Sequence, residues 1–235
     1  GAKALYGVSS NSHNNNTAVG HESMYSVTTG SGNTAIGKTS LYTITTGSSN
    51  TALGNSALYS LTTGIANLAI GESAGATLAT EQHNTYVGHN SGRNVDDGQY
   101  NTAVGSESMK TASTGNSANY NTALGYQSFH SITTGDENVG LGYASLKDLT
   151  TGSLNTMVGV SAGENSTDAS YNTAVGYQSM LGDASSGLTG SGVNVAVGYQ
   201  SLKAVTTAAN NVAIGGNALD AYTSGEGNIA IGRNA

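Results

Sequence analysis

The sequence predicts an all-β chain: a parallel β-solenoid, or β-roll, of about thirteen 17-residue coils. Three observations carry this. The phrase Asn-Thr-Ala-Val-Gly at Asn16–Gly20 returns with small changes to give thirteen copies. Ten of the twelve intervals between copies are 17 residues; the others are 20 (Asn101 to Asn121) and 22 (Asn172 to Asn194). Each copy is a short apolar, β-branched run closed by glycine, which reads as a strand ended by a turn. A period this short and regular means that each repeat is one unit stacked on the last. At about 4.8 Å per coil, thirteen coils span roughly 60 Å.

The repeat array runs from 16 to 235, and 1–15 reads as a degenerate first coil or cap. Within the cap, Leu5-Tyr6-Gly7 reads as the end of a fourteenth copy, shortened by four residues. The chain begins and stops inside the pattern, so it is expected to be part of a longer protein.

Taking the Asn of each copy as position zero, position four is glycine in all thirteen. A site that accepts only glycine needs positive φ or a close backbone approach. Position one is Thr in eight copies and Val, Leu or Ile in five, and position three is always Val, Ile or Leu. Position two is Ala in ten copies, with Tyr86, Gly140 and Met157 as exceptions. Position eight is usually large and apolar (Met24, Leu41, Phe129), and three copies have Gly75, Gly92 or Gly163 there, read as local narrowing or a bulge. Position eleven is often apolar (Val27, Ile44, Leu61), and Thr-Thr-Gly turns such as Thr28–Gly30 close many repeats. Positions three, eight and eleven are therefore the expected interior. Two short strands and two turns per coil fit the length. The recurring Asn suits an amide ladder.

Both faces of the predicted strand are apolar, a pattern normally covered on both sides. With position three inward, the other face is a rank of alanines: Ala18, Ala35, Ala52, Ala69, Ala103, Ala123, Ala174, Ala196, Ala213 and Ala230. These are the candidate seam to a second copy of the chain. The spacing leaves dimer and trimer open.

Composition narrows the function classes. Glycine numbers 34, with no proline, cysteine or tryptophan. The fixed register argues against disorder, and glycine does not fall every third residue as in collagen. Without cysteine there are no disulfides or thiolate metal sites. Charged residues are 9% of the chain and the net charge is −7, with seven scattered basic residues, a poor match to a nucleic-acid backbone. No run of 18 apolar residues predicts a transmembrane helix, and Gly1-Ala2-Lys3 shows no signal-peptide pattern.

Two insertions break the period, three residues near 115–120 and five within 181–193. Both are expected as surface loops.

The phrase Ala-Val/Ile-Gly-x-x-Ser/Ala (Ala35–Ser40, Ala69–Ala74, Ala174–Ser179, Ala196–Ser201) resembles the head repeats of trimeric autotransporter adhesins. The longer phrase Asn172–Met180, with the Thr-Thr-Gly turns, is similar to the repeat arrays of phage and phage-like tail-fibre proteins. The likeness covers nearly the whole chain. It implies a left-handed β-roll with three chains around one axis, in an extracellular or virion fibre. The 17-residue coil is longer than typical adhesin head coils.

No nucleophile–base pair or phosphate loop recurs, and no enzyme, cofactor or metal site is expected. Of the five histidines, His83 and His89 flank one strand and are the ones that could meet an ion near a symmetry axis. Asp96-Asp97 and Asp136-Glu137 are too sparse for a calcium loop. Hexapeptide-repeat acyltransferases need three hexads per coil, and the 11 remaining residues here do not supply two more.

The leading expectation is a structural and adhesive fibre segment that binds a cell-surface glycan or protein receptor. Its candidate contact residues are the tyrosines at position nine (Tyr25, Tyr42, Tyr59) and position five (Tyr126, Tyr143, Tyr177, Tyr199). Exposed tyrosines suit sugar or protein contact; shielding of ladder hydrogen bonds is the other reading. An ice-binding solenoid is the alternative class, suggested by the stacked Thr-Thr pairs.

Overall fold

A computed structural model of the chain describes residues 1–7, 12–112, 115–185, 187–189 and 192–235. Within them the repeats form a parallel β-solenoid of about thirteen turns. The chain divides into two compact units, Gly1–Asn119 and Tyr120–Ala235. The first holds β1 (Thr17–Val19), β2 (Thr34–Ile36), β3 (Thr51–Leu53), β4 (Leu68–Ile70), β5 (Thr85–Val87) and β6 (Thr102–Val104). The second holds β7 (Thr122–Leu124), β8 (Val139–Leu141), β9 (Thr156–Val158), β10 (Thr173–Val175), β11 (Val195–Val197), β12 (Val212–Ile214) and β13 (Ile229–Ile231). Within each unit every strand pairs in parallel with the next, position for position, as in Thr17↔Thr34, Ala18↔Ala35 and Val19↔Ile36.

Among the described residues each coil contains one such three-residue strand, not two. The second half is a run of turns, with positive φ at position six (Glu22 54°, Thr39 52°) and position eight (Met24 49°, Leu41 48°). Alternate left-handed residues bend the chain while leaving its N–H groups aimed along the stack. The Thr39 N–H donates to the His21 carbonyl (2.9 Å) and the Leu41 N–H to the Ala57 carbonyl (3.0 Å). The turn wall is thus bonded coil to coil as the strand wall is.

Position four is glycine because both reasons for glycine apply there. Gly37 has φ 141°, and a Cβ on it would run into the Gly54 carbonyl of the next coil. The same holds at Gly20, Gly54 and Gly71.

The interior differs from expectation at one position. Positions eight and eleven are inside, with Met24, Leu41, Leu58, Val27, Ile44 and Leu61 fully buried. The third inward position is two, not three. Ala35, Ala52, Ala69, Ala103, Ala123, Ala174, Ala196 and Ala213 are fully buried inside the coil, and Ala18 and Ala230 in the first and last strands are half-buried. An alanine with no exposed surface inside its own coil cannot meet another chain, so the alanine seam is withdrawn. The interior is narrow. Once positions eight and eleven fill it, only a methyl group fits opposite them.

The exceptions at position two show the same constraint. Tyr86 is fully buried and occupies the space left by Gly75 and Gly92; a Cβ on Gly75 would lie 3.1 Å from its ring. Phe129 at position eight fits because position two of the next coil is Gly140, where a Cβ would come within 2.7 Å of the ring. Met157 lies against Gly163, 3.2 Å from where its Cβ would be. These glycines mark exchanged volume and no narrowing, which keeps the core close-packed. Burial pushes the Tyr86 phenol well above its ordinary value, with the Asn101 side chain opposing. No well-formed hydrogen bond reaches the hydroxyl itself.

Polar ladders join the coils. The Asn138 amide donates to Asn121 Oδ1 (3.0 Å) and to the Gly152 carbonyl (2.9 Å), and its own Oδ1 accepts from the Asn155 N–H (2.9 Å). The pattern recurs at buried Asn33, Asn50, Asn155 and Asn194. A serine ladder at position seven, such as Ser23 Oγ to the Ala35 carbonyl (3.1 Å), ties the turn wall to the strand wall. Threonine hydroxyls at position twelve do the same for the closing turn, as in Thr28 Oγ1 to the Thr45 carbonyl (3.0 Å).

Residues 1–7 lie against the first coil in a different register from the one the sequence suggests. The Leu5 N–H donates to the Ser23 carbonyl and the Gly7 N–H to the Tyr25 carbonyl, both at 3.0 Å. Gly1 rather than Gly7 takes the place of the turn glycine, beside the Gly20 carbonyl. Leu5 and Tyr6 stand at positions eight and nine.

Candidate functional site

Two surfaces face outward from every coil, and the fold sets both. The first is the outer face of the strand. Because position two points in, positions one and three point out together. In the first unit this gives a rank of Thr17, Thr34, Thr51, Leu68, Thr85 and Thr102 beside one of Val19, Ile36, Leu53, Ile70, Val87 and Val104. The second unit has its own apolar rank, with Leu124, Val175, Val197 and Ile214 at 36–49% exposure. Strand geometry sets the ranks about 6.6 Å apart and the side chains within a rank about 4.8 Å apart. The large branched residues expected inside are therefore on the surface.

The second surface is the turn wall, where the tyrosines stand. Tyr25, Tyr42 and Tyr59 stack at centroid separations of 5.2 and 5.1 Å with interplanar angles of 9° and 2°. Tyr6, not foreseen as a member, extends the stack at 5.1 Å. Lys3 Nζ lies 5.7 Å from the Tyr25 ring centre. At position five the tyrosines form two pairs, Tyr126–Tyr143 (5.7 Å, 27°) and Tyr177–Tyr199 (5.4 Å, 10°), with all four rings exposed.

Stacking determines what these rings can do. Tyr25 and Tyr42 have a neighbouring ring on both faces, so they present edges and hydroxyls. A sugar lying flat on a ring needs an open face, which the inner rings lack. Desolvation, then the Glu22 carboxylate, raises the Tyr42 phenol from its ordinary value, with Lys3 opposing.

A further aromatic stack escaped sequence reasoning. His83 and Tyr100, each just before its Asn, stack at 5.1 Å and 10°, beside a Gln82–Gln99 side-chain bond of 3.1 Å. The signal was present: the residue before the Asn is His or Tyr at both places. His89 is exposed and its ring nitrogen lies 3.1 Å from the Asn90 amide. Among the described residues no group of three or more His, Cys, Asp or Glu could hold a metal ion. Nor is any helix among them long and apolar enough to cross a membrane.

The closing turns present one outward threonine each. Thr29, Thr46 and Thr63 are exposed, while Thr28, Thr45 and Thr62 bond the next coil. The Thr-Thr pairs thus form a single outward rank.

No family model, curated protein or solved structure matches the chain.

Proposed function

We propose that this chain is a structural and adhesive segment of a homotrimeric fibre, extracellular or on a virion, with each chain a left-handed β-roll. The observation that carries the reading is the outward strand face. In each unit Val, Ile and Leu stand outward at position three, 36–54% exposed at Val19, Ile36, Ile70, Leu124, Val175, Val197 and Ile214 and half-buried at Leu53, Val87, Val104, Leu141 and Val158, an apolar stripe of the kind that marks an interface. A second copy of the same chain has the same coil spacing, so parallel copies match rank for rank around a common axis. The repeat resemblance to trimeric fibre proteins supports three copies. In this assembly positions one and three form the seam that the alanines were expected to form. The turn walls with their tyrosine stacks face outward toward a surface glycan or protein receptor. The reading assigns no catalysis.

The test is a paired substitution on the stripe. Ile36→Lys with Ile70→Lys places ammonium groups in the seam without touching a coil interior. Chemical cross-linking of the wild type should give a trimer band that the variant lacks, with the β-rich circular dichroism unchanged. A monomer band alone for the wild type would sink the reading.

A second reading uses the same face. Thr at position one beside a branched apolar residue at position three, repeated at fixed spacing, is the flat ordered array that ice binding needs. It takes the place of the Thr-Thr pairs, which supply only one rank. Thermal hysteresis from a monomeric chain favours it; its absence favours the fibre.

A further inference from the structure

The second insertion forms a cleft. Position ten of its turn is Gly182, and the residue that fills position eleven is Leu188, fully buried and bridged in parallel to Ser166 of the turn before. Between those two points the described residues are 183–185 and 187. Ser186, Gly190 and Ser191 of the predicted insertion lie outside the described residues. Asp183 holds the departure: its Oδ1 accepts from the Ser185 N–H (2.9 Å) and its carbonyl from the Gly187 N–H (2.7 Å).

Beside this loop lies a cleft of about 340 Å³, lined from four successive turns by Asn165, Leu181, Asp183, Lys203, Ala204 and Asp220. Leu181, Lys203 and Asp220 all occupy position nine, the row that carries tyrosines in the first unit. Lys203 makes no ion pair within 4 Å among the described residues. The Asn165 amide donates to the Gly182 carbonyl (3.0 Å), which leaves its Oδ1 able to accept.

We propose that this cleft binds a sugar carrying one carboxylate, a uronic acid or similar residue of a surface glycan. An unpaired ammonium selects a carboxylate. Two flanking Asp carboxylates and a carboxamide oxygen accept from hydroxyl groups and repel a second negative charge, which disfavours a phosphate monoester. The apolar lining from Leu181 and Ala204 suits the C–H face of a sugar ring, and the volume lies in the range of small-ligand sites. The proposal deepens the adhesive reading and rests on it for the source of the glycan.

The test uses the full 235-residue chain. Methyl galacturonoside, methyl galactoside and acetate are titrated separately by amide-resolved NMR. The uronoside should shift the amides of Asn165, Gly182 and Lys203 with a millimolar Kd, and galactoside and acetate should each bind at least about tenfold more weakly. Lys203→Gln should lose about tenfold in uronoside affinity and Asp220→Asn about threefold, both with an unchanged circular dichroism spectrum. No uronoside binding, equal binding of acetate, or full affinity in Lys203→Gln overturns the cleft. Failure of the cleft in a chain that is trimeric leaves the fibre standing; uronoside binding by a strictly monomeric chain retains the cleft and removes the fibre.

Discussion

Asn138→Ala tests what holds one coil to the next. Asn138 is fully buried and its side chain takes part in four hydrogen bonds. It donates to Asn121 Oδ1 and the Gly152 carbonyl and accepts from the Asn155 N–H and side-chain amide, at 2.9–3.0 Å. Some partners keep other bonds. Asn121 Oδ1 still accepts from the Asn138 N–H, and the Asn155 amide still donates to the Ala169 carbonyl. The Asn155 N–H and the Gly152 carbonyl lose a ladder partner. At about 1–3 kcal/mol for each buried group left unmade, the loss is about 2–6 kcal/mol. Asn138→Asp should be worse, because a carboxylate cannot donate to Gly152 and sets negative charge against Asn121 Oδ1. The exposed control Thr134→Ala should stay within about 0.5 kcal/mol. Urea unfolding followed by circular dichroism, with hydrogen exchange at the Asn155 amide, reads both the global and local effect. Asn138→Ala within about 0.5 kcal/mol of wild type would refute the ladder as the main polar contact between coils.

Other substitutions probe the packing and the turns. Tyr86→Ala should cost about 3–5 kcal/mol as a core cavity, and adding Gly92→Leu should recover part of it, because the pair exchanges volume; additive losses in a double-mutant cycle would contradict this. Gly54→Ala should cost at least about 2 kcal/mol in thermal unfolding, since it combines φ 143° with a Cβ running into the Gly71 carbonyl; wild-type stability would contradict the close approach. Tyr86 also predicts a pH dependence. Its phenol is raised in the folded chain, so its contribution is fully present below the unfolded value near 10 and is lost as pH rises beyond it. Unfolding free energy should fall above that pH and fall less in Tyr86→Phe; identical slopes would refute the assignment.

The strand phrase was legible because its period is exposed in the letters, and glycine at position four declares its own turn. The Asn ladder and the inward positions eight and eleven were legible for the same reason: one residue class, repeated. The orientation of the strand was not. Alternation groups positions one and three against two, but does not say which side is in, and bulk alone favours Val over Ala as core. The deciding signal lay in the exceptions. Tyr86 with Gly75 and Gly92, Phe129 with Gly140 and Met157 with Gly163 exchange volume between positions two and eight, which only facing interior positions do. The turn wall was illegible because its left-handed residues are Glu22, Met24, Thr39 and Leu41, types that seldom declare positive φ. The tyrosine rows could be counted in the sequence, yet their stacking, which closes their faces, follows from the coil spacing.

The outward stripe of Val, Ile and Leu carries the functional account, and mass in solution tests it most directly. Sedimentation equilibrium of the wild-type chain across the micromolar range should give three times the 23.4 kDa protomer mass. Ile36→Lys with Ile70→Lys should give the protomer mass at the same concentrations. A wild-type chain that sediments at 23.4 kDa throughout contradicts the account.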